Sequence, residues 1–483
     1  MTSTRATRRC LRIASYIALS GATPAAGQVP DTAQAIARLD STLLAARAAI
    51  EQEVWPGYDV ARPGLLYMLP GTGKLLARWP RVVAEAEPVD GTRGWTEAPV
   101  SWGRTDPVQV VPVSARATRA QVFGLALHEG FHVHQRHFAG QGSVSVTENA
   151  LLTHEYPLFD IENEAAAAAE AQLLRAAVEA PTRPEARRLG AQFVALRQQR
   201  HARLGEELAE FERAGEAHEG IAQYVLLRGL DVLAQRDPTL RGQVTAELTA
   251  ERDVLSRMLE VGEVSVRRRV YATGSQQGFL LDRLGAADWK RRMNAERVWL
   301  HDLVAASVAG EPGDTAALRS AIAAQLPAAA ASVKRLTEQR ARMRDGYLAG
   351  EGVLIQLSPA ALPGGRFDWC GFDPQNLLPD GAGNVLHTRM VSLCSGNRRQ
   401  AAFERPVVEN RLTGTVMVRA LQPSLRAAGA EIPFPPPGSA LVLQDVALTA
   451  PGITLETAAA VVTATAQGLF ILPLPGSSVR APP

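Results

Sequence analysis

His128-Glu129-Gly130-Phe131-His132 is the segment whose residue types and spacing speak most directly of chemistry. Imidazoles four positions apart lie one above the other on one face of an α-helix, where both can bind a single zinc ion. Glu129, one residue round, is placed to reach a water on that ion rather than the ion itself. Zinc lowers the pKa of such a water toward neutrality, and the carboxylate takes its proton as the water attacks a carbonyl. The apolar lead-in, Val122-Phe123-Gly124-Leu125-Ala126-Leu127, has the texture of a buried helix, and buried histidines require partners. The pattern assigns His128 and His132 as ligands of one catalytic Zn2+ and Glu129 as its general base. Surface histidines on a metal-free helix are the bland alternative.

A catalytic zinc keeps three protein ligands and one open position, so a third ligand must come from elsewhere in the chain. Glu219, Glu164 and Glu170 are the candidates. His218-Glu219-Gly220-Ile221-Ala222-Gln223-Tyr224 resembles the Glu-Gly-x-Ala-x-Tyr helix of aminopeptidase N-like and related glutamate-ligand zinc peptidases, the gluzincins. The resemblance implies that Glu219 binds the metal, and that the glycine and alanine let its helix pack closely on the first. Tyr224 is expected to brace the site. Glu162-Asn163-Glu164 looks like the Asn-Glu start of the second zinc helix of thermolysin-type enzymes, but alanines follow where serine and aspartate should stand. Glu219 lies 87 positions beyond His132, farther than in the aminopeptidases, so its choice requires a helical hairpin inserted at about 165–212. Gluzincins also carry a Tyr or His past the second zinc helix that donates to the oxyanion. Tyr271, in Arg269-Val270-Tyr271-Ala272-Thr273-Gly274, takes that place, with a core-packing tyrosine as the alternative.

The resemblance covers about residues 108–285 and lacks the Gly-x-Met-Glu-Asn element by which aminopeptidases grip a free N-terminus. It implies a zinc metallopeptidase of no assigned subfamily, acting on a peptide or protein substrate. Endopeptidase and exopeptidase action both stay open. Two other readings stand beside it: a binding or scaffold protein that retains the zinc fold without hydrolysis, and a zinc hydrolase of a non-peptide amide or ester.

These residues need elements to hold them. Ile36, Leu39, Leu43, Leu44 and Ala48 recur at helical spacing, which predicts a helix over 31–53. The Pro/Gly/Trp-punctuated stretch 54–107 reads as strands and turns, and 108–113 as a further strand along which an extended peptide could pair. Ser114 and Thr118 are possible caps for a helix running to about Phe138. From about 160 to 345 the composition turns to Ala, Leu, Glu and Arg, with five alanines at 165–169 and a break at Pro181 and Pro184. Helices are expected over 185–235, 239–262, 267–284 and 314–345. After Gly350-Glu351-Gly352, Val, Thr, Pro and Gly dominate to residue 483. The fold class predicted is α+β: a mainly helical zincin-like metallopeptidase domain over 114–350, a small N-terminal sheet within 28–113, and a small β-rich C-terminal domain over 351–483.

The bulk properties agree with an exported globular protein. Residues 1–27 combine Arg5, Arg8, Arg9 and Arg12 with a short apolar run and the small residues Ala25-Ala26-Gly27, the pattern of a signal peptide. Without those four arginines, 47 of the 51 basic residues remain against 49 acidic ones, so no nucleic-acid partner is expected. No later run reaches the ~20 apolar residues of a membrane-spanning helix, so no integral membrane segment is expected after signal removal. Cys370 and Cys394, the pair left after the leader, are expected to form a disulfide in a periplasmic or extracellular setting. Pro70-Gly71-Thr72-Gly73-Lys74 is read as a turn, because Met68 and Leu75 break the nucleotide-loop pattern. Arg267-Arg268-Arg269 is read as a solvated helix face, and Trp102, Trp289 and Trp369 as core residues.

Overall fold

Thr118 starts the helix that carries the motif. Its side chain accepts from the backbone of Gln121, whose own side chain accepts from the Thr118 backbone, closing a capping box ahead of helix α1, Arg119–Gln135. The computed structural model describes residues 41–62, 64–68, 75–79, 82–86, 108–112, 117–138, 152, 155–258, 266–311, 314–372, 376–389, 391–395 and 398–474. The expected leader, the Pro70–Lys74 turn and Trp102 lie outside them. The chain divides into one unit of Met1–Tyr156 with Ile161–Ala329, and another of Pro157–Asp160 with Ala330–Pro483.

In the first unit, strands β1 (Gly64–Met68), β2 (Leu75–Trp79), β3 (Val82–Ala86) and β4 (Val108–Pro112) form a sheet in the order β3-β2-β1-β4. β4 lies parallel to β1 at one edge of it. Helix α1 packs on β1 and β4 on one side and on a helix further along the chain on the other, which is why it is buried nearly all round. A helical hairpin follows: α2 (Ile161–Glu179) and α3 (Arg183–Leu204). Buried Ala165, Ala166, Ala168 and Ala169 leave no side chain long enough to hold α3 away, and Thr182 caps α3 with Pro184 in its first turn. Helix α4 (Glu206–Gly215) passes through a π-turn, Glu216–Gly220, into α5 (Ile221–Arg236). Helices α6 (Arg241–Met258), α7 (Val266–Leu284), α8 (Trp289–Ala295) and α9 (Leu300–Ser307) complete the core, and α10 (Thr315–Leu348) leads out of it. Trp289 belongs to an aromatic cluster with Trp55, Phe131 and Tyr224, the first two ring pairs 5.2 and 5.0 Å apart from Trp55.

The second unit corrects the expected fold class. The C-terminal part is not a small β domain beside a zincin-like helical one: among the described residues, thirteen strands between Val353 and Pro473 join one sheet, ten of them in an unbroken ladder. Its extent comes from pairing across the whole tail: Ile453–Ala464 alone pairs with Ala440–Ala450, Gly468–Pro473 and Arg398–Phe403, which local sequence texture does not show. Ile355, Leu357, Val416, Val418 and Ile471 are among its core, and Cys370 is bonded to Cys394 with Cα atoms 5.7 Å apart. Among the described residues no helix is long and apolar enough to cross a membrane.

Candidate metal centre

His128 and His132 sit one turn apart on α1, and their Nε2 atoms lie 3.4 and 3.3 Å from the same oxygen, Oε2 of Glu219. All three side chains are buried. Among the described residues this is the one group of three His, Cys, Asp or Glu donors that could share an ion, with ligand atoms within 4.8 Å of one another. Glu164 and Glu170, the other candidates, are elsewhere. Glu164 is bound by Arg269, and Glu170 by Arg197 and Arg200. Arg269 is therefore buried and paired, not part of a solvated face, because its α7 position turns toward α2.

The π-turn presents Glu219. Ile221 N–H donates back to the carbonyl of Glu216, five residues earlier, and the one residue gained turns the following side chains relative to α4. α7 crosses here glycine on glycine. A Cβ on Gly220 would stand 2.5 Å from Gly274 Cα and 2.7 Å from Val270 O, so neither glycine tolerates a side chain. This differs from the packing implied by the gluzincin resemblance. Gly220 serves the approach of α7, whereas α1 and α5 approach through Gly124 against Leu226 and Gly229 against Leu127. Tyr271, three residues before Gly274, lies with its ring parallel to that of His128, 7° between planes and 5.9 Å between centroids. Tyr224 is not at the histidines. Its hydroxyl donates to Asp282 at 2.5 Å and joins α5 to α7.

Gln135 settles the tautomer of His132. Its Nε2 donates to the carbonyls of Ala217 and His218, both at 2.9 Å, which turns Oε1 toward His132 Nδ1 at 2.8 Å. An amide oxygen only accepts, so Nδ1 carries the hydrogen and donates, and Nε2 of the neutral ring is left a lone pair. That lone pair and a carboxylate oxygen then face each other inside the protein, which is repulsive unless a cation lies between them. In the metal-free chain the cation is a proton. Burial alone would lower the pKa of His132, but Glu219 outweighs it and pushes the ring up to about 9. Burial likewise works to raise Glu219, and His132 and His128 reverse it, holding the carboxyl well below its usual range. His128 is lowered by burial. Glu129, partly buried beside them, is pushed up to about 7, chiefly by burial.

A zinc ion fits this donor set. Ligand atoms about 2.0–2.2 Å from a tetrahedral ion stand about 3.3–3.6 Å apart, and the two nitrogen–oxygen separations here are 3.4 and 3.3 Å. Two imidazoles and a carboxylate are the ligand types of a three-ligand catalytic zinc site. The sequence reading missed Gln135, although its place three residues after His132 puts it on the same helical face. It also missed Gly274, for which nothing in the local sequence announces a partner. Compared with family models, curated proteins and solved structures, the chain matches none.

Proposed function

We propose that this chain is a zinc-dependent metallopeptidase, exported under its arginine-rich leader, with His128, His132 and Glu219 as metal ligands and Glu129 as general base. The observation that carries the reading is the approach of two imidazole nitrogens to one carboxylate oxygen, at 3.4 and 3.3 Å, in a buried site. Bound there, Zn2+ supplies Lewis acidity and an activated water. Glu129 supplies the proton traffic. In the metal-free chain burial pushes this carboxyl up to about 7, an environment that favours taking up a proton, and the same group can return it to a leaving amine. Tyr271, parallel to His128, is the donor for the oxyanion, a contribution of ~10²–10³ in rate in comparable cases. β4, at the edge of its sheet among the described residues and packed on α1, offers backbone pairing to an extended peptide, which supports a peptide over a small ester.

The test has two arms. Zinc titration of parent, Glu219→Ala and Glu164→Ala chains should show one equivalent bound, lost in the first variant and kept in the second, and equal affinity in all three would refute the ligand set. Cleavage of a denatured-protein mixture should then fall at least ~10² in Glu129→Gln while zinc stays bound. A zinc-loaded parent that cleaves no peptide bond in that mixture overturns the peptidase reading and leaves the metal site standing.

A further inference from the structure

Beside the metal centre lies a cluster of seven buried charged side chains. Glu164, Glu170, Glu212 and Glu216 meet Arg197, Arg200 and Arg269, all buried, around a cavity of about 30 Å³. Arg200 donates to Glu170 at 2.5 Å and to Glu212 at 2.6 and 2.8 Å, and Arg197 Nε donates to Glu170 at 3.1 Å. Burying so many charges is a poor route to stability, because desolvation offsets most of the Coulombic gain. What such a cluster does well is fix one arrangement of the elements that carry it.

Its attachment points identify that arrangement. Arg197 Nη1 donates to both oxygens of Glu216, at 2.6 and 2.7 Å, and Glu216 is the first residue of the π-turn. Arg269 binds Glu164 from α7, two residues before Tyr271. The π-turn is thus held at its start by Arg197, in its middle by Gln135 and at its end by Gly274. An extra residue in a helical rod is free to slide unless something holds it. If the bulge moved past residue 219, that side chain would swing by about 100° around the axis, away from the two histidines.

We propose that Arg197 is a positioning residue for the metal centre, acting through Glu216 to hold the π-turn where Glu219 meets His128 and His132. The inference rests on the metal-site reading above, and the experiment separates the two. Cobalt(II) is titrated into the full chain and into Arg197→Met, Glu216→Gln, Glu170→Gln and Glu219→Ala, with the visible spectrum as a report of ligand geometry. Zinc affinity is read by chelator competition, and circular dichroism reports the fold. Arg197→Met should weaken zinc by ~10–100-fold and shift the cobalt spectrum toward that of Glu219→Ala. Glu216→Gln, nearly the same in shape, should move both in the same direction, and it decides the matter if Arg197→Met does not fold. Glu170→Gln weakens the other partner of Arg197 but leaves the Arg197–Glu216 pair in place, so it should shift both readouts less than Arg197→Met. Parent affinity and spectrum in a folded Arg197→Met or Glu216→Gln, or an equal shift in Glu170→Gln, overturns the proposal. A parent chain that binds no cobalt refutes the metal reading instead.

Discussion

Replacing Gln135 with leucine removes three hydrogen bonds and ends the side chain one atom short of the amide. His132 Nδ1 loses its acceptor at 2.8 Å, and the carbonyls of Ala217 and His218 lose donors at 2.9 Å. His132 is buried, so its N–H finds no ready replacement in water. The neutral ring can then move its proton to Nε2, where it faces Glu219, and that tautomer offers no lone pair to a metal. Partners of this kind are worth ~10–100-fold in metal affinity. At 1.4 kcal/mol per factor of ten, the expected loss is about 1.4–2.8 kcal/mol. Gln135→Glu separates the two halves of the effect. It restores an acceptor for Nδ1 but sets a carboxylate oxygen against two carbonyls, so metal affinity should partly recover while the thermal midpoint stays low. Zinc affinity is measured by competition with a chromophoric chelator, and the His132 tautomer by nitrogen-15 NMR of the metal-free chain at a pH above about 9, where the ring is neutral. Affinity within about twofold of the parent in Gln135→Leu, with Nδ1 still protonated, would refute the reasoning.

Gly274→Ala should destabilise the chain by ~1–3 kcal/mol in urea unfolding and weaken zinc binding with it, because the new Cβ would lie 2.7 Å from backbone atoms of both Glu216 and Gly220. An unchanged unfolding midpoint would mean that α7 does not touch the π-turn in solution. His301 supplies the pH test. Burial, then Arg197, His201 and Arg213, lower its pKa to about 3, whereas the unfolded chain protonates it near 6.5. The unfolded state therefore binds the extra proton first, and stability present above pH 6.5 is lost as the pH falls, by about 3 kcal/mol at pH 4. His301→Phe should flatten that acid limb, and parallel stability curves for the two chains would count against it.

How much of this was legible in the sequence depends on whether the information is local. The spacing of His128 and His132, the Thr118 cap and the alanine run of α2 each act within one or two helical turns, and each was readable. Glu219 was singled out only through a motif resemblance, and its reason, a π-turn pressed by Gly274 from 54 residues away, is a tertiary fact. Arg269 shows the reverse error. Three successive arginines look solvated in sequence, yet helical rotation sends the third inward to Glu164. The C-terminal sheet was underestimated because its extent is set by pairing between distant strands, Val353–Leu357 with both Thr415–Ala420 and Gly468–Pro473, which no local run of residues announces.

The 87-position separation of His132 and Glu219 first presents itself as an obstacle, a hairpin to be looped out so that two ligand helices can meet. The contacts point the other way. α2 and α3 contribute Glu164, Glu170, Arg197 and Arg200 to the buried cluster, and the cluster reaches the π-turn through Glu216. A carboxylate ligand on a regular helix needs no such support, because its direction follows from the α-helical repeat. A ligand on a bulged helix does need it, since the bulge can sit at several neighbouring positions. If that is the hairpin's role, shortening it outside the cluster should leave zinc affinity unchanged, while neutralising Glu216 should not. The hairpin then belongs to the candidate metal centre as much as the histidine helix does.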